Sequence, residues 1–192
     1  NQRVIHSGIL VANYGISRKW SVAGIGSFIG QELGTPDLDG RRQVDYIFGM
    51  GDIILMVKYR ITNPLAYNGW GLYAGIGAKL PTGSTSKTSS TGSVYPADIQ
   101  PGTGSLDAIG WLSLSKSHLF ITNLYFNTGA TYRLSGQNRN FKDSLLYQPG
   151  DEIQFTAGFN FNFFAGMVFD VFNYVQYRFQ SVNELSDEPV DK

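Results

Sequence analysis

Between residues 152 and 163 the chain changes character at every step. Ile153, Phe155, Ala157, Phe159, Phe161 and Phe163 fall on one side, and Glu152, Gln154, Thr156, Gly158, Asn160 and Asn162 on the other. A period of two belongs to a strand with one apolar and one polar face, and no helix sustains it. Residues 52–62 repeat the pattern, with Ile53, Leu55, Val57, Tyr59 and Ile61 opposed to Asp52, Ile54, Met56, Lys58, Arg60 and Thr62. In 70–80, Trp70, Leu72, Ala74, Ile76, Ala78 and Leu80 oppose Gly71, Tyr73, Gly75, Gly77 and Lys79. Weaker alternation marks 106–114, where Asp107, Ile109, Trp111 and Ser113 share a face, and 119–135, where Asn123, Tyr125, Asn127, Thr131 and Arg133 do. In 168–179, Asp170, Gln176 and Arg178 oppose Phe169, Val171, Val175, Tyr177 and Phe179. Residues 3–14 and 20–32 read as strands by composition. The expected fold class is all-β, with about eight strands of roughly 10 to 13 residues, slightly longer than a tilted crossing of a bilayer needs.

Composition agrees. The chain holds 23 Gly, 13 Phe, 11 Tyr and 3 Trp against 16% charged residues, which suits aromatic strands and tight turns better than helices. Its 192 residues fit one domain. Lys+Arg and Asp+Glu both number 15, so the basic face of a nucleic-acid binder has no support. The absence of cysteine removes disulfides, thiolate metal sites and cysteine nucleophiles together. No apolar run reaches about 18 residues, which excludes a membrane helix and leaves a β-barrel open. No leader-peptide pattern stands at Asn1, which reads as mature chain.

The connections sharpen the choice. Short links at 15–19, 63–68, 117–118 and 165–166 alternate with long ones at 34–42, 81–104 and 136–150. Outer-membrane barrels pair short periplasmic turns with longer external loops, so an antiparallel up-and-down transmembrane barrel is expected. With short turns in the periplasm, both ends of the chain fall outside. The expectation is therefore a single barrel domain over 1–192 that lacks strands at both ends and belongs to a barrel of ten to twelve strands or more.

Four segments carry a family resemblance. Tyr14-Gly15-Ile16-Ser17-Arg18-Lys19-Trp20, Gly51-Asp52-Ile53 with Lys58-Tyr59-Arg60, Gly77-Ala78-Lys79-Leu80-Pro81-Thr82-Gly83, and Pro101-Gly102-Thr103-Gly104-Ser105-Leu106-Asp107 stand in this order, with Gln176-Tyr177-Arg178 compatible near the end. Together they resemble the outer-membrane transporters grouped under the meta-pathway of phenol degradation. The resemblance implies a barrel of about a dozen strands that passes small hydrophobic or aromatic molecules.

In a barrel the polar faces line the lumen. Near the outside they place Asp52, Lys79, Asp107, Arg133, Glu152 and Arg178, and nearer the periplasm Lys58, Arg60 and Asp170. Opposed charges across a lumen select ions or zwitterions; the simpler expectation is that they pair with one another. Tyr73, Trp111 and Tyr125 offer an aromatic slide, or ordinary interior packing. Outward Trp20, Trp70, Phe163 and Phe179 read as interfacial girdles. The loop 81–104, with Ser84, Thr85, Ser86, Thr88, Ser89 and Ser90, either constricts the pore or sits in solvent, and composition favours solvent.

Catalysis has little to stand on. The two histidines, His6 and His118, are expected at opposite rims, and no Gly-x-Ser-x-Gly elbow, zinc-protease motif or phosphate loop occurs. No catalytic, cofactor or metal site is expected. The partners expected are outer-membrane lipids and lipopolysaccharide, a small-molecule substrate, and protein partners if the barrel anchors an assembly. Two other readings remain at this level: an accessory barrel in a larger outer-membrane assembly, and a soluble ligand-binding barrel with its faces inverted.

Overall fold

The computed structural model describes residues 2–36, 42–63, 69–89, 92–96, 99–118, 123–138, 147–148, 150–162, 168–178 and 182–183. Its strands are β1 (Gln2–Gly15), β2 (Trp20–Pro36), β3 (Arg42–Met50), β4 (Ile53–Arg60), β5 (Trp70–Leu80), β6 (Asp107–Lys116), β7 (Leu124–Leu134), β8 (Tyr147–Gln148), β9 (Glu152–Asn162), β10 (Val168–Arg178) and β11 (Val182–Asn183). Antiparallel pairing runs β1-β2-β4-β5-β6-β7-β9-β10, with β3 added to β2, and the sheet curls into a half-barrel. β8 and β11 form a separate two-residue ladder. No helix occurs among the described residues.

The alternating segments became strands, with 70–80 matching at both ends, while the segment expected over 119–135 is a strand from Leu124 and its first residues, 119–122, lie outside the described set. One element was missed. β3 falls between the expected link at 34–42 and the strand expected from Asp52, although Val44, Tyr46, Phe48 and Met50 alternate with Gln43, Asp45, Ile47 and Gly49. The long link therefore shrinks from both sides, because β2 runs on to Pro36 and pairs there with Arg42.

β3 and β4 are two parts of one strand path along β2. The register slips by one residue between Phe28↔Met50 and Ile25↔Ile54, so Gly51 and Asp52 form a β-bulge. The Gly51 amide donates to the Ser27 carbonyl at 2.9 Å, and the extra residue turns the Asp52 carboxylate to the inner face.

From β5 to β9 the two faces differ in chemistry, whereas on β1 the exposed Ile5 and Ile9 share the inner face with Gln31 and Ser27 of β2. The outer face exposes Ile76 at 74%, Leu10 at 69%, Phe169 at 59% and Phe155 at 53%. On the inner face Lys79 and Asp107 are 4% and 1% exposed. Among the described residues the buried apolar side chains are Ala23, Ile47, Met56 and Ile109, with Pro101 in the β5–β6 connection. The inward positions of β5 include Gly75 and Gly77, against which β4 packs closely. A Cβ on Gly77 would come 2.5 Å from the Leu55 carbonyl and 2.8 Å from Met56 Cγ.

A ladder of alternating charge on the inner face

Strand register places one charged residue on each successive strand at a common level. Lys79 pairs with Asp107 between β5 and β6, Arg133 with Glu152 between β7 and β9, and Arg178 stands opposite Glu152 on β10. Lys79 Nζ lies 2.6 Å from Asp107 Oδ2 and 3.5 Å from Asp52 Oδ2. Arg133 bridges onward, 3.5 Å from Asp107 and 2.7 Å from Glu152. The signs alternate along Asp52, Lys79, Asp107, Arg133 and Glu152. The side chains of Asp52, Lys79 and Asp107 are 4%, 5% and 0% exposed, and those of Arg133 and Glu152 17% and 15%.

Such burial is tolerable only when every charge is paired and its remaining lone pairs are occupied. Hydroxyls and amides do this for Asp52, Lys79 and Asp107, while Arg133 Nε is buried without a hydrogen-bond partner among the described residues. Asp52 accepts the Gly83 amide at 2.9 Å, and the Thr103 amide and hydroxyl at 2.9 and 2.7 Å. Lys79 donates to the Thr103 and Ser105 hydroxyls. Asp107 accepts from the Ser105 hydroxyl at 2.7 Å and the Gly136 amide at 3.1 Å.

These contacts pull the β5–β6 connection onto the sheet. The expectation that 81–104 sits in solvent is thereby corrected: Asp52 and Lys79 hold both ends of the loop, and its body packs on the β2–β3 extension. Gln31, 4% exposed, donates to the Ile99 carbonyl at 3.1 Å, and the Tyr95 hydroxyl donates to Asp45 at 2.8 Å. Partial burial, followed by that hydrogen bond, pushes the Tyr95 phenol up to about 12. Gln100 ties the loop to itself through the Lys87 amide and the Lys87 and Tyr95 carbonyls. At the neck the backbones of Gly83 and Gly102 touch, and a Cβ on Gly83 would come 2.6 Å from Gly102 Cα. Ser90 lies outside the described residues.

The other candidates form a lower tier toward the short turns. Lys58 and Arg60 on β4 are in register with Gly75 and Tyr73 on β5, which face Trp111 and Ser113 on β6. Tyr125 meets the His118 ring at 5.7 Å. The backbone of Asp170 pairs with Asn160 and that of Arg178 with Glu152; the side chains of both, with Phe163 and Phe179, lie outside the described set. Trp20 and Trp70 are outward and 48% and 41% exposed. His6, opposite Gly30, and His118, after β6, lie at opposite ends of the sheet. Thr103 and Ser105 are not singled out by the sequence as part of this cluster. The run Thr103-Gly104-Ser105 just before Asp107 was the available signal.

No family model and no curated protein matches the chain. Among solved structures an outer membrane channel from Pseudomonas putida F1 is similar, with a TM-score of 0.64 at 12% identity over 96% of this chain and 65% of that one. The chain thus spans about two thirds of that channel's length. The likeness is one of fold: an all-β antiparallel sheet with the curl of an outer-membrane barrel.

Proposed function

We propose that this chain forms the wall of an outer-membrane β-barrel channel for small molecules. The observation that carries the reading is the inversion of the faces, with isoleucine, leucine and phenylalanine exposed outside and paired charges buried inside. A soluble ligand-binding barrel needs the opposite arrangement. Lipid satisfies the outer face, with Trp20 and Trp70 at the interface.

The reading sets a requirement at the sheet edges. Among the described residues β1 and β10 pair on one side only. In hydrocarbon every backbone donor and acceptor needs a partner, so further strands, from the same polypeptide or another, must lie between them. A barrel of ten to twelve strands or more meets that need. The resemblance to transporters of the phenol meta-pathway extends the reading to hydrophobic or aromatic solutes, with Tyr73, Trp111 and Tyr125 on the inner face as contacts.

Single-channel recording in a planar bilayer tests it. Discrete, salt-dependent current steps are expected. Silence from protein that is folded, as judged by heat-modifiable migration, would replace the channel with an accessory barrel.

A further inference from the structure

The balance of 15 basic and 15 acidic residues conceals a polarity along the strands. On the inner face Asp52, Asp107 and Glu152 all stand in the upper ladder, engaged with Lys79 and Arg133. Below it, toward the short turns, stand Lys58 and Arg60. No carboxylate among the described residues lies within ion-pair distance of either. The acid whose backbone stands at that level, Asp170, is on β10, five strands along the sheet from β4. At ~4.8 Å per strand that is about 24 Å along the wall. The Debye length at physiological ionic strength is only about 8 Å, so Asp170 does not cancel the local charge.

The surroundings of the two cations narrow what they would attract. Lys58 and Trp111 are both in register with Gly75, and with no side chain between them Lys58 Nζ reaches 5.1 Å from the indole centroid. Trp111 and Ile54 pack against the patch of Ala23, Met56 and Ile109. Two cations thus border an aromatic and apolar wall. Two other cations at this end, Lys19 over Tyr59 at 5.9 Å and Lys116 over Trp70 at 5.2 Å, accompany outward aromatics and belong to the bilayer side, and Arg18 is exposed in the β1–β2 turn.

We infer that Lys58 and Arg60 make the lower half of the lumen an anion-selective station, where Trp111 receives the apolar part of a small organic anion. The inference rests on the channel reading above and gives it a substrate class. Lys58 and Arg60 draw the negative charge into this half of the channel, and the indole and its apolar neighbours retain solutes that carry more than charge.

The test uses the protein in a planar bilayer under a potassium chloride gradient. The reversal potential is expected to report anions passing several-fold more readily than potassium. K58Q/R60Q should bring the preference near unity and K58E/R60E should reverse it, both with unchanged heat-modifiable migration. Benzoate added on the short-turn side should reduce chloride current, and Trp111→Ala should weaken that block about tenfold. A conducting protein with no anion preference, or a preference that survives both double variants, overturns the inference. Indifference to benzoate overturns its organic-anion part and leaves a plain anion filter. A folded protein that passes no current overturns the channel reading, and this inference falls with it.

Discussion

Asp107 is the residue on which the inner face turns. Its carboxylate is fully buried, touches both Lys79 and Arg133, and also accepts from Ser105 and Gly136. Neutralising it leaves two buried cations that share the outer acids Asp52 and Glu152. Asp107→Asn is therefore expected to cost about 3–5 kcal/mol, read by urea unfolding in lipid vesicles. The double variant Lys79→Met with Asp107→Leu should cost less than Asp107→Asn, because it removes the most buried pair together and leaves Asp52 its Gly83 and Thr103 donors and Arg133 its partner Glu152. A double variant that is the less stable of the two would mean that the ladder contributes net stability. Alternation alone placed Asp52, Lys79, Asp107, Arg133, Glu152 and Arg178 on the polar face near the same end. Which of them touch depends on cross-strand register, which a single strand does not encode.

At the scale of elements the bulge and the β5–β6 loop act together. The bulge aims Asp52 inward, and Asp52 captures both Gly83 and Thr103. Farther out, Tyr95 fastens the loop to β3 through Asp45. The phenol pKa is raised to about 12 from an ordinary 10.0, so the neutral donor is the form that docking favours. This contribution is complete below pH 10 and disappears as pH rises through about 12. Protease cleavage within the loop should therefore increase over that window. In Tyr95→Phe cleavage should be faster at neutral pH and show no alkaline step. Loop composition alone pointed to solvent, since Ser, Thr and Gly serve turns and hydrogen-bonded folds equally well. The decisive partners, Asp52, Asp45 and Gln31, lie on β2, β3 and the bulge between β3 and β4, far away in sequence.

At the scale of the whole molecule the inverted faces govern stability. Ile76, midway along β5, is 74% exposed on the outer face. Ile76→Lys is expected to lower stability by about 2–4 kcal/mol in a bilayer and to have little effect on a surface facing water. Urea titration in vesicles, with Thr88→Lys in the loop as a control, measures the difference. An equal, small effect at both positions would contradict a lipid-facing outer wall. The polarity along the strands belongs to this scale too, because it exists only once neighbouring strands share a common level.

The all-β class, most strand positions and the facing of the described side chains are legible in the chain alone, because a period of two is a local property of the backbone. The chain contained β3 as well, in the alternation of Val44, Tyr46, Phe48 and Met50. Tertiary structure decided the one-residue slip at Gly51–Asp52, the inward fold of 81–104 and the pairing of five charges into a ladder. Those features arise between strands. Registers and long-range hydrogen bonds are set by the collective closure of the sheet, where a buried carboxylate must find every one of its partners at once.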